Sequence, residues 1–446
     1  MLVTIVSVGA SQASSRDPDY ALGMPRARHQ DRSTVARHAP LPTPGPWKGF
    51  LKIAGISLGV VLVSAIAVGA FVVVDYVNRF NADAVALEGA PEVEPPTISA
   101  FPGEFSVLLV GTDECGEVSG GLLGARCSEA DGGILNDVNL LVHVSAEPRN
   151  VTVVSLPRDL MIETPECTRE DGSIASATSK TQINSIYQNA GLSCVAKTIT
   201  ALSGIDIPFA AQIDFDGVMA VTDAIGGVEV CIGGDGIRDE EAGIDYWAPG
   251  PRTVSGYEAL QFIRTRYGVG DGSDMARVSN QQQYMSRLVK KILSDEVLSD
   301  PGKVLGLANT VADNITPSTE LGNPVRIAQL ALSIKDVPFS DFVFAQYPVF
   351  EDPDDGDRVI PNYDAADTLW TALAAGQPVQ LTGDATNNGG VEVVDPGTPT
   401  DPGTDAGTAP STDAPVTGTP APRATLDPSI SGQTAEQETC TNGRQR

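Results

Sequence analysis

The chain has 446 residues, enough for two or three domains and a sizeable core, and a net charge of −28. Acidity on that scale argues against nucleic acid as a partner. Of the three histidines, His29 and His38 lie in the first 52 residues and His143 sits in the apolar run LLVHV, so Ser-His-Asp and Cys-His chemistry is poorly supported.

The charge is uneven. Residues 1–52 hold seven Lys/Arg against three acids, a net +4, and the rest of the chain carries −32. Ile53–Val74 then runs 22 residues without a charge. As a helix it would span ~33 Å, enough for a hydrocarbon core of ~30 Å. It lacks the polar face of a core helix, and its length and lack of a small-residue cleavage site argue against a signal peptide. Lys48 and Lys52 before it and Asp75 after it place the 1–52 arm in the cytoplasm and the main domain outside the cell, on a single-pass membrane helix at 53–74.

Residues 75–104 read as a stalk ending in PEVEPPTISAFPG. The main globular domain follows at 105–298, and a smaller accessory region at 299–381. Residues 382–446 form an acidic, Pro/Thr/Gly-rich tail that cannot bury enough apolar surface to fold and is expected to be disordered, most plainly to about 428. Its last segment, SISGQTAEQETC, ends on Cys440, which could bring it back to the body.

Within the globular part, FSVLLV (105–110), DVNLLVHV (137–144) and VTVVS (151–155) read as strands. Only SAEPRN separates the second from the third, so these two are expected to be antiparallel neighbours. If the first pairs likewise with the second, Asp113, Asp137, Arg158 and Asp159 collect at one edge. Residues 184–204 read as a helix broken at Gly191, FAAQI as a short strand, 215–226 as a helix closed by Gly226, and VEVCI as another strand. Ser255 and Glu258 have capping-box spacing for the helix SGYEALQFI. A last long helix starts near Asp274, with Val278, Met285, Leu288, Val289, Ile292 and Leu293 as its buried stripe; Arg277 and Gln281 share another face. The fold class is α/β, a mixed central sheet flanked by helices.

All six cysteines lie on the outer side and none forms a C-x-x-C pair, so disulfides are expected rather than zinc. Proximity pairs Cys115 with Cys127 and Cys167 with Cys194, leaving Cys231 and Cys440; connectivity is not fixed by sequence.

Two constellations carry chemistry. Arg264 and Arg266 are two apart, so an extended backbone would point both guanidinium groups the same way, with an anion between them. That anion is either a local carboxylate, Asp271 or Asp274, or a ligand phosphate, which the planar guanidinium fork suits. Asp113 and Asp137 near one sheet edge suit Mg²⁺ shared with substrate phosphates, or simply cap neighbouring turns.

The runs LLVGTDE (108–114), LNDVNLLVHV (135–144), VTVVSLPRDL (151–160), INSIYQNAG (183–191), FDGVMAVTDAIGGVEV (215–230), GYEALQFIRTR (256–266) and DMARVSNQQQ (274–283) together resemble the LytR-CpsA-Psr family, in its actinobacterial form. The resemblance implies an LCP-like α/β/α fold and a phosphotransferase. Such an enzyme moves a glycopolymer from a polyprenyl-pyrophosphate carrier, whose lipid lies in an apolar groove, onto a peptidoglycan hydroxyl. It implies Mg²⁺ held by Asp113 and Asp137, and a pyrophosphate clamp of Arg158, Arg264 and Arg266 with Arg277 and Gln281. Asp274 would be the base for the attacking hydroxyl. The alternatives are a phosphatase acting on the same carrier and a non-catalytic protein that binds and organises envelope polymer. Three basic positions of the family pattern are Cys115, Leu135 and Gln182 here; either Arg126 or Lys180 compensates, or the site has fewer cations.

Overall fold

The structure is a computed structural model, and it describes residues 46–81, 83–124, 127, 133–383, 385, 389–394 and 423–445. The chain divides into two compact units, one ending at Ile66 and the other running from Ala67. The described part of the first is wholly helical and belongs to α1 (Pro46–Phe80). Within it Gly49–Gly69 is long and apolar enough to cross a membrane, and its side chains are exposed. The arm at 1–45 lies outside the described residues.

The second unit is built on a seven-stranded mixed sheet. Its strands are β1 (Phe105–Gly111), β2 (Val138–Val144), β3 (Val151–Leu156) and β4 (Phe209–Ile213). A second sheet uses β5 (Val228–Asp239), β6 (Ile244–Trp247) and β7 (Gly250–Val254). Then come β8 (Ile315–Pro317), β9 (Phe342–Gln346), β10 (Val391–Val393), β11 (Gly432–Thr434) and β12 (Thr439–Gln445). The large sheet has the order β8-β4-β1-β2-β3-β9-β11; in the smaller, β6, β5, β12 and β10 are successive neighbours, and β7 also pairs with β5.

The pairing β1–β2–β3 is antiparallel throughout, with Gly111 opposite Val138 and Asn139 opposite Leu156. The six-residue link between β2 and β3 allows no other arrangement. Alternation then sorts the side chains. The short helix α2 (Glu117–Leu123) follows β1, and Leu108, Val110, Leu141 and Val154 face one way, onto α3 (Ile186–Ser203) and the helix Tyr363–Ala374. Phe105, Leu140, Val153 and Phe344 face the other, where Met285 and Val289 of α6 (Asp274–Ile292) pack. The kink expected at Gly191 is present in α3.

Three further helices frame the site: α4 (Phe215–Ala224), α5 (Gly256–Arg264) and α6 (Asp274–Ile292). Asp214 caps α4 and Ser273 caps α6 through side-chain oxygens. The capping box expected for α5 does not form. Ser255 makes no side-chain cap, and the Glu258 carboxylate accepts from the Arg252 guanidinium instead. A strong ion partner on β7 outcompetes a local backbone amide.

Two domain boundaries shift. β8 and β9 complete the large sheet on either side, so 299–381 is part of the same body rather than an accessory region. The tail is not disordered to its end: Leu426 and Ile430 are fully buried, β11 extends the large sheet and β12 inserts beside β5. Residues 395–422, where disorder was most plainly expected, lie outside the described residues. All three disulfides are present, Cys115–Cys127, Cys167–Cys194 and Cys231–Cys440.

Candidate active site

Because β1, β2 and β3 are antiparallel in register, the end of β1, the start of β2 and the end of β3 meet at one sheet edge. Asp113, Asp137 and Arg158 therefore line one pocket of about 850 Å³, together with Arg264, Arg266 and Arg277 from α5, the turn after it and α6. Convergence of these residues was the central expectation from the sequence.

Each side chain is aimed by identifiable contacts. Leu135 N–H donates to Asp113 Oδ1 at 2.6 Å, while Asp113 N–H donates to the Leu135 carbonyl. The buried Asn136 fixes Asp137 by donating to Asn139 Oδ1 and the Ile183 carbonyl. Arg158 donates to both oxygens of Asp137 at 3.2 and 3.3 Å. Arg158 Nε also lies 3.4 Å from Asp274 and 3.7 Å from Asp159.

Asp274 is placed differently from expectation. It is buried in the first turn of α6, ion-paired with Arg277 at 2.6 Å and with Arg158. It does not line the pocket. A carboxylate tied to two guanidinium groups is a poor general base, so the geometry makes Asp274 the anchor that sets Arg158 and Arg277 side by side.

The Arg264–Arg266 pair also differs. Arg264 ends α5, so the backbone is not extended there. Thr265 and the turn after it bring Arg266 to the same pocket. Each guanidinium has an aromatic neighbour: Arg264 lies 5.1 Å from the Phe215 ring centre, and Arg266 5.6 Å from that of Tyr267. Arg266 Nε donates to the Gly272 carbonyl. Gln281 does not line this pocket. Its amide donates to the Ile263 carbonyl at 2.9 Å, which steadies the residue before Arg264.

Gln182 donates to Asp159 at 2.7 Å, behind Arg158. Lys180 does not compensate for the missing cations, since it is paired with Asp352 and Asp354 away from the pocket. Arg126 lies outside the described residues. Arg358, from the hairpin at 349–361, reaches Asp159 at 3.4 Å. It comes from beyond the expected domain boundary, so nothing local in sequence marked it. Asp239 was also missed: an acid ending a strand carries no signal of its destination.

Electrostatics follow from this crowding. Burial, and then the neighbouring Asp137, raise the Asp113 carboxyl above its ordinary range, against the pull of the Leu135 N–H. Glu114 is raised by burial and by Asp214 and Asp113. Burial works to lower Arg158, but Asp137, Asp274 and Asp159 outweigh it and leave the guanidinium more basic than usual. Among the described residues no three His, Cys, Asp or Glu side chains converge as a ready cage. The Asp113–Asp137 pair still fits Mg²⁺, an ion commonly held by one or two carboxylates and completed by substrate phosphates. A cation held by this pair would offset both the burial of Asp113 and the nearby charge of Asp137 that raise its carboxyl.

A second cavity, of about 270 Å³, lies between the large sheet and α4, α5 and α6. Its wall is almost wholly apolar, with Leu109, Val138, Ala211, Val221, Ile263 and Phe344 among its residues. Val138 and Ile263 directly adjoin Asp137 and Arg264 of the first pocket, so greasy and charged spaces sit side by side.

The LytR_cpsA_psr family model matches residues 73–374, and the chain belongs to that family. The cell wall biosynthesis protein LcpA of Corynebacterium glutamicum is 27% identical over 320 residues, covering 67% of this chain and 59% of that protein. Biofilm regulatory protein A of Streptococcus mutans is 28% identical over 49% of this chain and 51% of its own. The chain thus spans little more than half the length of these two curated relatives. The polyisoprenyl-teichoic acid–peptidoglycan teichoic acid transferase TagU of Enterococcus faecalis is 25% identical, covering 62% of this chain and 82% of that protein. Among solved structures, the LytR-Csp2A-Psr enzyme from Actinomyces oris is similar at 23% identity and a TM-score of 0.45, covering 65% of this chain and 96% of that one.

Proposed function

We propose that this protein is a membrane-anchored, Mg²⁺-dependent phosphotransferase that attaches a polyprenyl-pyrophosphate-linked glycopolymer to peptidoglycan through a phosphodiester. One observation carries the reading: Asp113, Asp137, Arg158, Arg264, Arg266 and Arg277 line one pocket, and Val138 and Ile263, the chain neighbours of Asp137 and Arg264, line an apolar cavity. A diphosphate joined to a lipid needs that pairing of surfaces. The helix at Gly49–Gly69 would hold the pocket at the outer membrane surface, where such a carrier is available.

In this reading Arg158, Arg264 and Arg266 neutralise the diphosphate, with Arg277 beside them. Asp274 keeps Arg158 and Arg277 together, and Gln281 steadies the end of α5. Asp113 and Asp137 hold Mg²⁺, which would supply charge neutralisation on the phosphate oxygens. The acceptor hydroxyl attacks the polymer-bearing phosphorus, the bond from that phosphorus to the bridging oxygen breaks, and the lipid monophosphate leaves, taking up the proton that the hydroxyl gives up. Phosphoryl transfer depends on positioning and charge neutralisation more than on a protein nucleophile, which suits a pocket lined by Asp, Glu and Arg.

The test is transfer of labelled polymer from its polyprenyl-pyrophosphate carrier to peptidoglycan by the full chain in lipid vesicles. Label should enter the wall fraction with Mg²⁺ and not in excess chelator. Arg264→Ala or Arg266→Ala should lower the rate by about 10²–10³-fold with the fold intact. Transfer unaffected by chelator removes Asp113 and Asp137 from the metal role. Label released as soluble polymer identifies a phosphatase instead, and binding without turnover identifies a polymer-organising protein.

A further inference from the structure

The turn that carries Arg266 is held from two sides, and neither support comes from nearby sequence. On one side is Asp239, at the end of β5 and only 3% exposed. Its Oδ2 accepts from Thr265 Oγ1 at 2.8 Å and from the backbone N–H groups of Arg266, Tyr267 and Gly268 at 2.9, 3.0 and 3.2 Å. A single carboxylate oxygen thereby sets the path of the backbone immediately after Arg264.

On the other side is β12. Arg444 N–H donates to the Gly268 carbonyl and Gly270 N–H to the Asn442 carbonyl, both at 2.9 Å. The Arg444 guanidinium donates to the Gly270 carbonyl at 2.8 Å. Deeper in, Thr441 Oγ1 donates to Asn280 Oδ1, and Asn280 donates to the Phe262 carbonyl of α5. Gly443 lets the strand lie close against β5, where a Cβ would meet the Gly236 carbonyl carbon at 2.7 Å. The strand is held in place by Cys231–Cys440. It lies outside residues 73–374, the stretch matched by the family model.

We propose that the C-terminal strand is a positioning element of the phosphate clamp, with Arg444 as its principal positioning residue: it holds residues 268–270, and through them Arg266, in the geometry that meets the diphosphate. The inference rests on the phosphotransferase reading, but its structural half can be tested apart from it. If the strand merely filled space, loosening either end of the C-terminal segment would have the same consequence. The far end offers that control, because Arg423 pairs with Asp341 remote from the turn.

The experiment compares the full chain with Arg444→Ala, Arg444→Lys and Arg423→Ala, using geranylgeranyl pyrophosphate as the probe. Arg444→Ala is expected to weaken probe binding about tenfold or more and to speed amide exchange at residues 266–270. Arg444→Lys, which keeps a cationic donor, should recover part of both. Arg423→Ala should change neither. Unchanged exchange at 266–270 in Arg444→Ala, or the same changes in Arg423→Ala, overturns the proposal. A wild-type chain that fails to bind the probe counts against the phosphotransferase reading, and the exchange data then decide the positioning role alone.

Discussion

Asp113 holds its proton more tightly in the folded chain than an ordinary carboxylate does, because burial and Asp137 disfavour its charge. A raised carboxyl value means the folded state loses stability as pH climbs from the usual carboxylate value through the raised one. At neutral pH that cost is fully present. Asp113→Asn keeps an oxygen for the Leu135 N–H and removes the charge. It is expected to raise the thermal midpoint by roughly 1–3 °C while abolishing polymer transfer. A lower midpoint in a melting curve at pH 7 would show that the charge is not the destabilising feature. His143 shows burial acting on the opposite charge. It sits between sheet and helix with Ser106 beside Nδ1, and burial pushes it down to about 4, in keeping with the packed role expected for it. At this scale residue types were legible and partners were not. Asp113, Asp137 and Arg158 were legible through the family resemblance, and their shared edge followed only if β1 paired antiparallel with β2, as it does. The burial of Asp274 between two guanidinium groups was not legible, because one partner, Arg158, lies just after β3 and the other one turn along its own helix.

Secondary structure was the most legible level, since periodicity is local. β1 to β5, the kink in α3 and the starts of α4 and α6 fall close to where alternation and capping residues place them. Arg252 takes Glu258 from its cap, a distant group competing with a local one, and α5 runs one residue further than an extended Arg264–Arg266 pair would allow. The apolar cavity belongs to this scale as well, since it is the gap left where three helices cover one face of the sheet. Val221→Phe should partly fill it. Because the space is already open, overpacking strain of ~1–3 kcal/mol is largely avoided and the melting temperature should stay near wild type. KM for a long-chain polyprenyl carrier should rise about tenfold. Unchanged KM with the larger side chain in place would separate the cavity from the lipid.

The whole molecule is closed by its C-terminus. Cys231 and Cys440 are 209 residues apart in sequence, and linking them removes freedom from a long unfolded loop. On chain-entropy grounds that contributes about 5 kcal/mol at most. Cys231→Ser with Cys440→Ser is therefore expected to lower stability by ~2–5 kcal/mol and to expose residues 423–445 to protease, read by limited proteolysis with mass spectrometry. Protection equal to wild type would mean that β11 and β12 hold without the covalent tie.

From its residues alone the chain declares an apolar helix near the start, an acidic body and antiparallel β2–β3 pairing, while β1–β2 pairing and the edge where two aspartates and an arginine meet took the structure to decide. The first three follow from hydropathy, periodicity and short links, which act over a few residues. Only the tertiary structure decided that Asp239 and β12 grip the Arg266 turn, that Arg358 stands behind Arg158, and that the region after 298 completes the central sheet. Those contacts join segments tens to hundreds of residues apart, and their geometry is set by how the sheets and helices pack rather than by any local preference of the chain.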